Sequence, residues 1–459
     1  MMSVWENIRA QLPRRGKLSG RAARASAWSM GELGLGYALR LGSNLIMTRI
    51  VMPEAFGQIA LIITLHAALV LFSDIGVAQS IIRSPRGENQ HYLRVAWTIQ
   101  ILRSSVLALI VVAVAGMVWL LAPSLAPAGT VYADPDLPAL IALSSAVVLF
   151  SGLESCNKYV AQRRMQLKQL AIQTLSVQVI ALLAMVTIAQ FEATVWSLLW
   201  GMLIGGLFSM IASHFLPGPR MGLAWDREIV DELWHFGKWI IGSSAMSFIS
   251  GNADRIFLGA VLDKEHFGFY VIALIWVQAG IAVIHRLGGN IGLPLFSNIS
   301  RERPDELLRV FHRFNRLNAA LACAGFLGLF FVGPSIILLL YPDSYAQSAS
   351  FLPFLALAML REVFGPISSL LTSQGNSKAS ATAAFTEAVS LCLCLYTGIR
   401  LMGTEGALFA VALSSLAGSV VHLVIARRTL GIALRGSALS MAVILGLAVA
   451  VGIILDPIP

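Results

Sequence analysis

Apolar runs and polar breaks alternate along the whole chain. A helix needs ~20 residues to cross a bilayer. By that measure the runs fall at 27–52, 57–82, 94–122, 138–160, 167–190 and 194–216, and, after a polar stretch, at 237–262, 266–289, 317–341, 347–373, 378–400, 404–426 and 437–455. The pattern predicts an all-α polytopic membrane protein with thirteen spans: twelve core helices and a thirteenth at the C-terminal end. The breaks divide the chain into a basic N-terminal segment 1–26, a six-helix bundle 27–216, a cytoplasmic linker 217–236, a second six-helix bundle 237–426, and a basic turn plus extra helix 427–459.

The first span is the least expected of these. It reads AWSMGELGLGYALRLGSNLIMTRIVM and carries Glu32, Arg40 and Arg49. An arginine near mid-membrane costs about 2.5–3.5 kcal/mol even on the lenient insertion scale. At 100° per residue, Gly36, Arg40, Ser43, Asn44 and Met47 share one face. That face reads as the wall of a watery cavity with Arg40 as its main positive charge; the alternative is an interhelical salt bridge. Arg49 lies on the opposite face and can snorkel to the surface. In span 7, Ser243, Ser247, Gly251 and Asp254 share a face, with Ser250 and Arg255 beside it. Both lead helices are therefore expected to offer a polar stripe to a central cleft.

Charge sets the orientation. With the N-terminus in the cytoplasm, 26 of the 33 basic residues fall at inside positions, and only Lys264 and Arg400 fall in outside loops. That is the positive-inside pattern. It accounts for a net charge of +9 without nucleic acid and predicts contact with anionic lipid head groups. The first span is expected to act as an uncleaved anchor, its apolar run being too long for a signal peptide. Residues 301–317, RERPDELLRVFHRFNRL, are amphipathic and are expected to lie on the inner surface. Asp74 and Arg103 stand at equal depth on consecutive spans and are expected to pair; the alternative is a coupling site at Asp74. Arg361, Glu362 and Glu387 are expected to pair locally, and His66 to pack in the core. Cys156, Cys323, Cys392 and Cys394 all lie in apolar spans, which argues against a disulfide framework or metal site. No phosphate-cradling loop, nucleophile elbow or metal-ligand spacing occurs, so neither an enzyme nor a cofactor is expected.

The two halves resemble each other at an offset of 211–215 residues. VMPEAFG at 51–57 matches LDKEHFG at 262–268, and LRVAWTIQILR from Leu93 parallels LRVFHRFNRL from Leu308. Gly152 and Gly365 open similar span-end turns. Six spans per repeat is an even number, so the halves enter from the same side around an axis along the membrane normal.

TRIVMPEAFGQIALIITL, DIGVAQSIIR and NADRIFLGAVLDKEHFGFY resemble the polysaccharide transporter family of the multidrug/oligosaccharidyl-lipid/polysaccharide exporter superfamily. The resemblance runs from Ser26 to Arg428. It implies two bundles in a V, alternating access, and a cationic cavity for an undecaprenyl-diphosphate-linked oligosaccharide, used in O-antigen or exopolysaccharide synthesis. Arg40 and Arg255 match the cationic role by type and place, with Ser43, Asn44 and Ser247 as neighbouring substrate contacts and Asp254 or Asp74 as coupling positions. The implied partners are the lipid-linked oligosaccharide, membrane lipids and a glycan polymerase or export machinery, in the inner membrane. The rival readings are a multidrug exporter on the same fold, which favours a carboxylate-dominated cavity, and a glycan polymerase or ligase, which needs a catalytic face that the short outside loops do not offer.

Overall fold

The computed structural model describes residues 17–374 and 377–430, with side chains undescribed at 17–26 and at several helical positions, among them Ser243, Ser247 and Arg286. The thirteenth span, 437–455, lies outside the described residues, as do Arg9, Arg14 and Arg15. Among the described residues the chain is almost entirely helical. Helix α1 spans Lys17–Met47, α2 Pro53–Phe72, α3 Val77–Arg83, α4 Gln90–Leu125, α5 Leu137–Leu153, α6 Asn157–Arg163, α7 Leu167–Ala189 and α8 Val195–His214. The second half holds α9 Arg227–Val261, α10 Lys264–Glu302, α11 Leu307–Leu327, α12 Gly333–Leu340, α13 Gln347–Ala356, α14 Gly365–Ser373 and α15 Ser377–Leu430. Helix α15 is two antiparallel arms that turn at Gly403. Each of the twelve core runs falls on helix. Among the described residues eight helices are long and apolar enough to cross a membrane, or nine if the bent pair α5–α6 is one span; α1 and α9, which carry the expected first and seventh spans, are not among them. The protein is a multi-pass membrane protein.

Local signals place the helix starts. Pro53 opens α2, where its missing N–H costs nothing. Asn89 caps α4 by accepting from the His91 and Tyr92 amides at 2.8 and 3.4 Å. Asp263 caps α10 through the His266 amide at 2.8 Å, and Asp226 caps α9 through the Glu228 amide at 3.0 Å.

The breaks are as informative. The predicted span 57–82 is not one helix: α2 ends at Phe72 and α3 begins at Val77. Asp74 lies in the gap. Its Oδ1 accepts from the Gly76 amide at 2.9 Å, and Gly76 has φ 67°, the left-handed region that glycine adopts without steric cost. At the repeat position, His285 lies inside the unbroken α10, so the two halves differ here. Helix α5 ends at Leu153, and the Gln100 Nε2 amide donates to the Ser151, Gly152 and Glu154 carbonyls at 3.3, 3.0 and 3.0 Å. One side chain thus satisfies carbonyls that the bend to α6 leaves without helical partners. Between α13 and α14 the chain tightens to 3₁₀ geometry over Leu357–Phe364, and Asn318 Nδ2 on α11 donates to the Glu362 carbonyl at 2.6 Å.

The amphipathic stretch near 301–317 corrects the surface-helix expectation. It joins α10 through a tight turn and continues directly into α11 and its span. Its apolar face is covered by protein: Phe296 of α10 packs on Phe311 and Phe314, with ring centroids 5.8 and 5.6 Å apart. Arg309, Arg313 and Arg316 stay exposed.

Helix α2 crosses between the halves. It packs on α9 and α10, while α4 pairs with α5 and α7 with both α1 and α8. At the basic end, the linker is strapped to the first half. Arg86 pairs with Glu228 and Glu232 at 3.0 and 2.5 Å, His91 with Asp226 at 3.1 Å, and the Ala224 amide donates to Thr98 Oγ1 at 3.0 Å.

The opposite end, poor in basic residues, is closed by contacts between the first and second parts of the chain. The repeat segments 51–57 and 262–268 meet each other there. A Cβ placed on Gly57 would lie 3.4 Å from the Gly268 nitrogen, and one placed on Gly268 would lie 2.1 Å from the Pro53 carbonyl oxygen. Only glycine permits the second approach. Around this contact the Lys264 amide donates to the Gly129 carbonyl at 3.0 Å, Lys264 Nζ reaches Asp134 at 2.7 Å and Glu54 at 4.0 Å, and Tyr345 donates to the Val51 carbonyl at 2.5 Å.

Candidate functional site

A cavity of about 230 Å³ is lined by Leu39, Arg40, Ser43, Asn44, Met47, Phe56, Gln178, Ala181, Met185 and Leu198. Four of the five residues assigned to the polar face of the first span line it, and the fifth, Gly36, stands beside the Gln178 amide. The helical phase of α1 is the reason. Residues 36, 40, 43, 44 and 47 fall on the side turned to α7, α8 and the start of α2. The opposite side carries the exposed Arg49 and Ile46.

Arg40 is exposed, with its guanidinium carbon 5.9 Å from the Tyr37 ring centroid. Among the described residues it makes no ion pair. Asn44 is only 8% exposed, and its Oδ1 accepts from the Tyr341 hydroxyl at 2.8 Å. Tyr341 in turn accepts from the Trp276 indole at 3.0 Å. Gln178 Oε1 is buried with no hydrogen-bond partner. The cavity floor is apolar, so its polar atoms are few and distinct: five guanidinium donors, one hydroxyl and two amides.

The second-half residues are elsewhere. Arg255 donates to Asn252 Oδ1 at 2.9 Å and is not among the cavity-lining residues. Asp254 is 8% exposed and accepts from the Tyr270 hydroxyl on α10, so it is buried between helices rather than turned toward Arg40. Ser247 and Ser243 lie among the side chains outside the described set. Arg361 sits between Glu362 at 3.3 Å and Glu387 at 2.8 Å, and Asp254 is within its electrostatic reach. Asp74 stands 3.9 Å from Arg103, with about a quarter of each side chain exposed. His66 Nε2 lies 3.0 Å from Ser144 Oγ, consistent with a packed residue. Glu154 is paired with Lys158 and accepts from Ser209 at 2.6 Å.

Gln178, Trp276 and Tyr270 did not stand out in the sequence, and Tyr341 reads there as an interfacial anchor, whereas it is only 6% exposed and hydrogen-bonded to Asn44 and Trp276. Gln178 lies in a run where every third or fourth residue is polar, a weak signal by itself. The tyrosines sit at or near helix ends, where interfacial anchoring accounts for them equally well.

The comparisons agree with this architecture. The family described as "Polysaccharide biosynthesis protein" matches residues 46–350. The chain is 23% identical over 365 residues to the lipopolysaccharide biosynthesis protein WzxC of Escherichia coli (strain K12), covering 78% of this chain and 71% of that one. Its fold is similar to the lipid II flippase MurJ in an inward closed conformation, with TM-score 0.68, 14% identity, and 95% and 93% of the two chains covered. It is also similar to an inward-facing multidrug resistance MATE family transporter of the MOP superfamily, with TM-score 0.64, 12% identity, and 86% and 94% covered. A membrane chain that is almost entirely helical among its described residues, and whose sequence matches one family over about two thirds of its length, belongs to the polysaccharide biosynthesis protein family and has the fold of MOP superfamily transporters.

Proposed function

We propose that the protein is a flippase. It carries an undecaprenyl-diphosphate-linked oligosaccharide across the cytoplasmic membrane by alternating access, with its N-terminus inside. The observation that supports this most is the Arg40 guanidinium, without an ion pair among the described residues, on the rim of a cavity between helices. A lipid-facing helix gains nothing by keeping such a charge. A diphosphate does use it, because the forked N–H donors match phosphate oxygens. The glycan needs a polar path, since each bare hydroxyl costs several kcal/mol in hydrocarbon. The prenyl tail can remain in lipid throughout. A relative that takes part in lipopolysaccharide biosynthesis and a structural neighbour that flips lipid II both support this reading. In this orientation the inside-negative potential favours outward anion movement by ~2.3 kcal/mol per charge per 100 mV.

The two halves are residues 27–216 and 237–426, joined by the linker 217–236. The closed end, poor in basic residues, faces outward, so Arg40 is reached from the cytoplasmic side. Asp254, beside Tyr270 and near Arg361, is the position we assign to coupling, and Asp74 is assigned to holding α2–α3 against α4. A 230 Å³ cavity is too small for a whole oligosaccharide, so it takes the diphosphate while the sugars occupy the space between the halves. The membrane lipids and a glycan polymerase are the expected partners.

The test is genetic. Arg40→Ala removes a charge from the membrane and should insert at wild-type abundance. It should nonetheless fail to complement a glycan-export defect and leave lipid-linked units on the inner leaflet. Arg40→Lys should retain partial activity, keeping the charge without the fork. Wild-type complementation by Arg40→Ala would overturn the proposal.

A further inference from the structure

Resting on the flippase reading, the hydrogen-bond chain Trp276–Tyr341–Asn44 gives Asn44 a second role. An indole N–H can only donate. Trp276 Nε1 therefore fixes the Tyr341 oxygen as an acceptor, at 3.0 Å. The single hydroxyl proton of Tyr341 is then directed at Asn44, at 2.8 Å, and the Asn44 atom that receives it must be the amide oxygen. The amide nitrogen is left for the cavity that Asn44 lines, and among the described residues it has no hydrogen-bond partner.

We propose that closure of the outer end makes the cavity donor-selective. While Tyr341 holds the Asn44 oxygen, Asn44 offers the space beside Arg40 its N–H and withholds its acceptor; Gln178 Oε1, the other amide acceptor of the lining, is untouched by this contact. An acceptor-only ligand, a diphosphate, gains a fixed donor on closure; a neutral, hydroxyl-rich ligand gains less because it loses an acceptor. Trp276 and Tyr341 belong to the second half, and Asn44 to the first. Separation of the halves at this end breaks the bond to Tyr341 and frees the amide to turn either way. The site then loses its fixed donor and its grip on the anion. By linkage, a ligand that binds the closed state more tightly also stabilises closure. Asn44 is thus a specificity and positioning residue: it tightens the site facing the cytoplasm and loosens it facing outward.

The experiment uses the full-length purified protein with farnesyl diphosphate as probe and farnesol as the uncharged control. Binding is followed calorimetrically, and the outer end by the distance between spin labels at Asp136 and Ser344, both exposed. In the wild type the probe should bind with dependence on Arg40 and narrow the label distribution toward its short distance. Tyr341→Phe removes only a hydroxyl. It should weaken probe binding by about threefold to tenfold, the range of one hydrogen bond, and abolish the narrowing. Asn44→Asp keeps the acceptor for Tyr341 but loses the donor, so it should keep the short distance and lose at least about tenfold in binding. If Tyr341→Phe does not fold, Trp276→Phe, which unlocks the Tyr341 proton, should give the smaller effect in the same direction. Arg40-dependent binding that is equal in wild type and Tyr341→Phe, with label distances indifferent to the probe, would overturn this inference and leave the flippase reading standing. No Arg40-dependent binding in the wild type would sink both.

Discussion

Arg40 and Arg103 show how differently two helical arginines are used. Arg103 has a carboxylate 3.9 Å away; among the described residues Arg40 has the face of Tyr37 and no ion pair. The Asp74–Arg103 distance is long for an ion pair, and each group keeps about a quarter of its surface. Asp74→Ala should therefore cost about 1–2 kcal/mol, below the ~3–5 kcal/mol of a fully buried pair. Exchanging the two charges, Asp74→Arg with Arg103→Asp, should restore only part of this, because Asp74 also holds the Gly76 amide. Abundance and thermal unfolding in detergent would measure it. Full stability in Asp74→Asn combined with lost transport would show instead that Asp74 couples. At this scale the sequence disclosed what helical phase can disclose. Arg40, Ser43 and Asn44 share a face by arithmetic alone. The partners of Asp254 and Asn44 did not emerge, because Tyr270 and Tyr341 reach them through tertiary packing that no local spacing encodes.

Among the elements, the segments that carry the internal repeat are also those that touch. VMPEAFG and LDKEHFG were legible as copies because both follow a long span and end in Glu-x-Phe-Gly. A repeat read along the chain says nothing of contact; the close approach of Gly268 to Pro53 does. Gly268→Ala should drive a methyl group into the Pro53 carbonyl, an overpacking that costs about 1–3 kcal/mol in a well-packed site. The outer end should open, lengthening the spin-label distance between Asp136 and Ser344. An unchanged distance would show that the contact does not hold the end closed. The breaks at 73–76 and 357–364 were hidden for a different reason. Ser73, Asp74 and Gly76 in the first and Arg361 and Glu362 in the second are polar or turn-forming, but each break lies inside a run apolar enough as a whole to read as one span; the hydrogen bonds from Gly76 to Asp74 and from Asn318 to Glu362 mark them in the structure.

At the scale of the whole molecule, basic residues gather at one end and the closing contacts at the other. Charge asymmetry survives averaging over many loops, which is why it carries an expected orientation where individual contacts could not be read. Labelling tests the orientation. In a chain freed of its native cysteines, a single cysteine at Ser124 should react with an impermeant thiol reagent on whole cells, and one at Glu302 should react only after lysis; both positions are exposed. The reverse pattern would turn the molecule over.

The most direct measurement is reconstituted transport. The protein is placed in vesicles with an undecaprenyl-diphosphate-linked oligosaccharide in one leaflet, and arrival in the other leaflet is read with an impermeant glycosidase. Wild-type protein should expose the glycan faster than empty vesicles, and faster still when the potential is negative on the loaded side. Arg40→Ala, at equal protein content, should fall to the empty-vesicle rate. A wild-type rate no faster than empty vesicles, or an Arg40→Ala rate equal to wild type, would contradict the account.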